Sequence, residues 1–402
     1  MALGHSPRIV MDGLVLCLDG ANYKSFKGEA TTNYYSTPIT LTSGRTGSTD
    51  GSIKTSFNTG GPTGGPFTRV VRDTSVSRTT DWEWQIGYSG TGLSNGNSFV
   101  VSFYARCPNG TLSSVKLSNP DVEGQTFNID STWRRFTASF TYGSQGGLTF
   151  FRVNRGHTPF YTNGATYDIA NLQVEAKSYS TSFVDGTRGT TVATGGGWKD
   201  LVGSNNGELV NGVRESTDNG GSLVFDGVND YVSGGSDDGY ALGTGAFTVE
   251  TWVKFSALPA TNAISGISGT AIAINVADNI SWWIGIQNVS GTNYLQFGRH
   301  ATSNYFRTPF SPSLNTWYHL VSIRDSSGNV YLFIDGNSQS VTVSGTWSSI
   351  DFSRTGPFYV GLIATPFYLN GSISNLRIYK GKALSAAEVK QNFDAHKGRY
   401  GL

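Results

Sequence analysis

Between residues 98 and 379 the chain returns repeatedly to short runs in which every second side chain is apolar. SFVVSFYARC (98–107), STWRRFTASFTY (131–142), AFTVETWVKF (246–255) and TWYHLVSIRD (316–325) are the clearest. A period of two puts the apolar set on one face of a strand and the polar set on the other, which no helix does. It is the pattern of half-buried antiparallel strands. Further runs follow the same rule at GLTFFRVN (147–154), ATYDIANLQVE (165–175), WWIGIQN (282–288), NVYLFIDG (329–336) and GSISNLRIY (371–379), and RIVMDGLVLCLD (8–19) adds a strong early strand. Glycine, present 52 times, falls between the runs, as in TGGPTGGPF (59–67) and GYSGTGLSNGN (87–97), where turns need it. One helix is signalled at the end. Ser385 and Glu388 form a capping box ahead of EVKQNFDAH. With 402 residues the chain has room for two domains, each with its own core. The expected fold is all-β: two antiparallel jelly-roll β-sandwiches and one short C-terminal helix.

Composition excludes several classes. Aromatic residues make up 13% and charged residues 14%, the reverse of a disordered chain. The 29 basic and 28 acidic residues interleave to a net charge of +1, so no basic stripe offers itself to nucleic acid. No run approaches the roughly 20 apolar residues that cross a bilayer. The opening MALGHSPRIVMDG lacks a basic stretch followed by an apolar one, so no secretory signal is expected. Cys17 and Cys107 each sit inside an apolar run and read as two buried free thiols.

Catalytic chemistry is not expected. Glycan hydrolysis on such a fold needs two carboxylates about 5–10 Å apart. No E-x-D-x-x-E string occurs: Asp81 and Glu83 stand alone, and Glu250 has no acidic partner two or five residues away. His5, His157, His300, His319 and His396 are scattered, without metal-ligand spacing. Sugar binding asks less. It needs aromatic faces for the apolar side of a pyranose and a few amides for its hydroxyls. In DWEWQIGY (81–88), Trp82, Trp84 and Tyr88 share one face, which serves either as a core face or as a sugar platform. Trp282 and Trp283 are adjacent, so a strand would turn one outward, beside Asn304 and Tyr305. The same residues would suit a protein contact.

SLVFDGVNDYV (222–232), FTVETWVKF (247–255), NTWYHLVSIRD (315–325), VYLFIDG (330–336) and NGSISNLRIYKGKALSAAEV (370–389) together resemble the concanavalin A-like, laminin G-like jelly roll. Members of that family often open with a strand like GLVLCLDGAN, followed closely by W-x-D-L and a turn into LVNG. Here GLVLCLDGANYKSF lies at 13–26, whereas Trp198–Leu201 and GELVNG (207–212) come about 170 residues later. The resemblance implies a discontinuous domain. Residues 1–29 hold an arm and its first strand, 189–402 hold the rest, and 30–188 are an insertion in an exposed loop. Residues 10–18 should then pair with the C-terminal sheet.

The insertion, through VVSFYARC, STWRRFTASFT and YDIANLQVEAKSYSTSFVDGTR (167–188), resembles a carbohydrate-binding-module jelly roll as found in phage structural proteins. The opening MALGHSPRIVMDGLVLCLDGAN resembles virion proteins of marine tailed phages, notably those of cyanobacteria. These resemblances imply a virion surface structural protein: a head decoration or fibre, a neck appendage or a tail-fibre component. It would be assembled in the host cytoplasm beside other virion proteins as a homo-oligomer, a trimer above all, with a host-surface glycan as a further partner. A secreted or cell-surface lectin is the alternative. Both families often hold a structural calcium ion, for which Asp168, Asp226 and Asp230 are the candidates. Each could equally cap a turn.

Overall fold

The computed structural model describes residues 8–34, 42–43, 53–72, 84–89, 96–118, 125–141, 148–153, 166–184, 187–237, 240–259, 268–275, 281–299, 302–353, 356–364 and 367–402. The chain is all-β, its strands paired antiparallel, with one short C-terminal helix. It divides into two compact units, Thr31–Arg188 and a discontinuous one made of Met1–Ala30 with Gly189–Leu402.

In the discontinuous unit two eight-stranded sheets enclose one core. The first is organised on the long strand Asn370–Lys380, which pairs along one edge with Phe247–Phe255. Its other edge is shared by Ser222–Asp226 and, further along, by Leu14–Asp19. Leu16 and Leu18 of that N-terminal strand enter the core, and Cys17 pairs with Arg377. The second sheet runs Glu208–Val210, Tyr231–Asp237, Gly356–Val360, Ser268–Asn275, Trp282–Val289, Thr292–Arg299, Tyr305–Pro309, Thr342–Ser344. Alternation does the sorting. Val249, Val253, Leu320 and Leu376 of the first sheet face Ile284, Ile286, Leu295 and Phe297 of the second.

The first sheet buries its outer face as well. The helix Ala386–His396 starts at the Ser385–Glu388 capping box and lays Val389, Asn392 and Phe393 on that face. Trp252 stacks on Tyr400 at 4.1 Å and on Phe393 at 5.7 Å. Beneath the helix sits Glu250, wholly buried. Its Oε1 accepts from Arg377 Nη1 at 2.6 Å and its Oε2 from Asn392 Nδ2 at 2.6 Å. His319 Nε2 lies 3.2 Å from Oε1. Burial alone would raise the Glu250 carboxyl, yet Arg377, His319 and Asn392 together hold it down at about 2. Asn392 Oδ1 also accepts from the Val10 amide at 2.8 Å, and Tyr379 donates to the Val10 carbonyl at 3.0 Å, so the first described residues are fastened to the last ones.

The Thr31–Arg188 unit pairs its own ends, Thr31–Thr32 against Thr187–Arg188. Its two five-stranded sheets follow the orders Arg134–Thr141, Ser98–Arg106, Thr166–Glu175, Phe67–Arg72, Ile53–Asn58 and Thr42–Ser43, Trp84–Ser89, Leu148–Val153, Leu112–Ser118, Thr126–Ile129. Phe99, Val101, Phe103 and Ala105 fill the core from one strand. Opposite them, Thr166–Glu175 carries a bulge between Ala170 and Gln173, where Asn171 takes a φ of 51°, a left-handed conformation that asparagine tolerates. Glu175 is buried and accepts from Thr31 Oγ1 and Thr181 Oγ1, each at 2.6 Å. Cys17 and Cys107 are both free and buried, and burial raises both thiols.

Candidate functional site

On the outer face of the second sheet of the discontinuous unit, Thr292–Arg299 alternates Leu295 and Phe297 into the core with Tyr294, Gln296 and Gly298 outward. Register aligns the neighbours on the same face. Gln296 lies between Gly285 and Arg307, and Gly298 between Trp283 and Tyr305. The Arg307 guanidinium lies 4.2 Å from the Tyr294 ring centre and 4.5 Å from that of Tyr305, so it sits between two half-buried tyrosines. Gln296 is only 4% exposed, and its Oε1 has no hydrogen-bond partner among the described residues. Arg307 Nε, directly across the register, has none either. A buried acceptor and a buried donor thus stand unpaired on adjacent strands of one face. Glycine at 298 leaves room for these side chains: a Cβ there would come within 3.1 Å of Trp283 Nε1 and 3.3 Å of Gln296 Nε2, so both would have to give by a few tenths of an ångström.

The structure corrects the tryptophan expectation. Trp282 belongs to the core, donating its indole N–H to the Tyr240 carbonyl at 2.8 Å and stacking on Phe297. Trp283 does face the other way, but it is 6% exposed and offers no open ring. Alternation sets the direction of a side chain and leaves open what covers it. Tyr305 and Asn304 are half-buried beside it, and the Asn304 carbonyl accepts from the Arg299 amide at 2.9 Å. Tyr294, Gln296 and Arg307 were missed. Their only sequence signal is the period-two NYLQFGR run, which does not say which strand lies next to it. Trp84 and Tyr88 fall on the strand Trp84–Ser89, paired with Val153 and Thr149. Trp82 lies outside the described residues, as do Asp81 and Glu83.

Asp168, expected as a cation ligand, is wholly buried and its two oxygens accept from Arg69 and Arg106. Two guanidiniums already compensate its charge, and they would repel a calcium ion placed there. Asp226 Oδ1 accepts from the Val228 amide at 2.8 Å, an Asx turn, while the Asp226 amide donates to Asp230 Oδ2 at 3.2 Å. Among the described residues no group of three His, Cys, Asp or Glu gathers to hold a metal.

Burial and then the charge of Asp226 push the Asp230 carboxyl up to about 6. A raised acid contributes stability that is complete below its unfolded value of 3.8 and is lost as pH rises through 6. Asp230→Asn keeps the acceptor and removes the charge. It should stabilise the fold by about 1 kcal/mol at pH 8 and give no gain at pH 4, as read from urea midpoints.

Residues 225–390 match the model of the Laminin_G_3 family, described as the concanavalin A-like lectin/glucanases superfamily. The discontinuous unit has that jelly-roll fold. No curated protein matches the chain. Among solved structures, domain 4 of AbnA, a GH43 extracellular arabinanase from Geobacillus stearothermophilus in complex with arabinotriose, is 18% identical. That match covers 49% of this chain and 92% of the arabinanase domain, with a TM-score of 0.36. The binding domain of Paraclostridial Mosquitocidal Protein 1 is 18% identical over 49% of each chain, with a TM-score of 0.39. The botulinum neurotoxin serotype G binding domain is 15% identical over 48% of this chain and 47% of its own, with a TM-score of 0.37. The chain thus spans about half the length of these two toxin domains.

Proposed function

We propose that this protein is a non-catalytic, glycan-adhesive structural component of a phage virion surface, a decoration, fibre or neck or tail appendage assembled as a homo-oligomer. The glycan part is carried by the unpaired Gln296 Oε1 and Arg307 Nε. Both atoms are covered in the free chain, so binding requires the half-buried Arg307 side chain to shift. A sugar hydroxyl, which both donates and accepts, then satisfies the two together beside the rings of Tyr294 and Tyr305. The family match over 225–390 supports the same reading. The non-catalytic part is supported by how the strand carboxylates are used. Glu250 is committed to Arg377, Asp168 to Arg69 and Arg106, and Glu175 to Thr31 and Thr181. The virion part rests on the opening MALGHSPRIVMDGLVLCLDGAN and the QVEAKSYSTSF stretch of the insertion.

A glycan array probed with the whole chain should give a small set of positives. Gln296→Leu and Arg307→Leu should each weaken them by roughly tenfold or more, since each leaves a bound hydroxyl short of one partner. An unchanged array with both variants folded would remove this face from the reading. Gold-labelled antibody on intact particles tests the location. Label at one defined place on capsid, neck or tail is the expected result, and protein found in the medium or on cells would point to a secreted lectin instead.

A further inference from the structure

The insertion carries a second built cluster, independent of the face above. Arg106, Asp168 and Arg69 stand side by side across three neighbouring strands on one face of their sheet. Asp168 is wholly buried and takes Arg69 in a two-pronged pair, Nε to Oδ1 at 2.7 Å and Nη2 to Oδ2 at 2.9 Å. One such fork is enough to compensate a buried carboxylate. Arg106 is nevertheless added, through Nε alone, at 2.8 Å from Oδ2. Two positive charges on one negative leave a net charge of +1 among the described residues of this cluster. Arg69 and Arg106 side chains are 34% and 28% exposed, so the excess charge faces solvent from a fixed position.

Aromatic rings complete the cluster. Phe67 lies 5.7 Å from the Arg69 guanidinium and 5.5 Å from that of Arg106. Trp133 packs edge-on against Phe67 at 5.6 Å, with the Arg106 guanidinium 4.8 Å from its ring centre. The Trp133 indole N–H is buried and has no hydrogen-bond partner among the described residues. Arg106 Nη1 and Nη2 and Arg69 Nη1 likewise make no hydrogen bond to another described residue. The result is a rigid set of donors beside a half-buried indole.

We infer that this cluster binds the single oxyanion of an acidic saccharide, a uronate carboxylate or a sulfate ester, with the sugar ring against Trp133. The Arg106 fork matches an oxyanion geometrically, and the indole contributes its ring alone. A polyanion such as nucleic acid needs many such charges in a row, and the net charge of +1 over the whole chain supplies no stripe of them. The saccharide ring is what the aromatic wall adds over a bare anion.

The whole chain would be titrated by calorimetry with an oligogalacturonate, a sulfated galactan oligosaccharide, the neutral galacto-oligosaccharide and sodium sulfate. At least one acidic saccharide should bind here, more weakly as salt rises. Arg106→Gln should weaken that binding by roughly tenfold or more. Arg106→Lys, which keeps the charge and loses the fork, should fall between. Trp133→Phe should weaken the saccharide and leave sulfate alone unaffected. Gln296→Leu should change nothing, so this site and the face of the C-terminal unit succeed or fail separately. Three results would each overturn the inference: no acidic saccharide bound, wild-type binding in a folded Arg106→Gln or Arg106→Lys protein, or sodium sulfate binding as tightly as the saccharides.

Discussion

A chain that begins at Gly189 should fail to hold a folded sandwich, although it contains the whole stretch that matches a known family. The strand Leu14–Asp19 lies outside that stretch, yet it pairs with five residues of the central strand Asn370–Lys380. Leu16 and Leu18 are 0% and 1% exposed. Each contributes about 1.5–3 kcal/mol by burial. The Cys17 amide donates to Asp200 Oδ1 at 3.0 Å and the Leu201 amide to the Cys17 carbonyl at 2.9 Å, so polar groups near Trp198 lose their partners too. The sum is about 5 kcal/mol or more, the size of a typical domain's whole net stability. Far-ultraviolet dichroism and hydrogen exchange on residues 189–402 should report an unfolded or loosely packed chain. Added peptide 8–30 should restore slow exchange in 370–380. Cooperative melting of 189–402 alone, within a few degrees of the parent, would show that the strand is dispensable. Joining Ala30 to Gly189 through a short linker should leave this unit folded, because the ends of the excised unit pair with each other.

Exchange of Glu250 for alanine should cost about 3–5 kcal/mol, the usual result of leaving one member of a buried ion pair without the other. Arg377 is only 1% exposed and would be stranded under the helix with Asn392, whose side chain also fastens Val10. The same network sets an acid limit. Burial first, and then the Arg377 charge, hold His396 down at about 4. Geometry agrees: its Nδ1–H faces the Asn392 carbonyl at 3.2 Å and its Nε2 accepts from Arg377 Nη2 at 3.1 Å, so a second proton would point at a guanidinium. The unfolded chain takes up that proton near 6.5, and stability is therefore lost as pH falls from 6.5 towards 4. Glu250, lowered, adds a further loss between 4.5 and 2. Urea midpoints should decline from pH 7 downward in the parent, and His396→Gln should flatten the upper part of that decline. A parent curve flat from pH 7 to 4 would contradict the assignment.

Much of the fold was legible because it follows from local rules. Alternation in FTVETWVKF marks a strand whatever its partner, and the Ser385–Glu388 box marks a helix start from four residues. The site was less legible because it depends on register. Asp168 read as a cation ligand since its neighbours Arg69 and Arg106 are 99 and 62 residues away, and no local pattern places them beside it. Gln296 and Arg307 face each other only through the pairing of two strands. Trp283 failed for another reason: strand geometry turned it outward as expected, and its surroundings then covered it.

The antiparallel pairing of Leu14–Asp19 with Asn370–Lys380 also fixes how the molecule carries tension. Leu14 sits opposite Tyr379, so the leading end of one strand and the trailing end of the other leave the ladder together. A pull between residue 8 and the C-terminal helix therefore opens this ladder one rung at a time, like a zipper. It does not shear all rungs at once. The fastening of Val10 to Asn392 and Tyr379 is the first element to bear load. The inserted unit is spliced in behind that zipper, between Ala30 and Gly189, and feels no force until the rung of Asp19 on Asn375 has parted and, after it, the bonds of Gly20 to Ser374, Ser25 to Lys199 and Glu29 to Glu215.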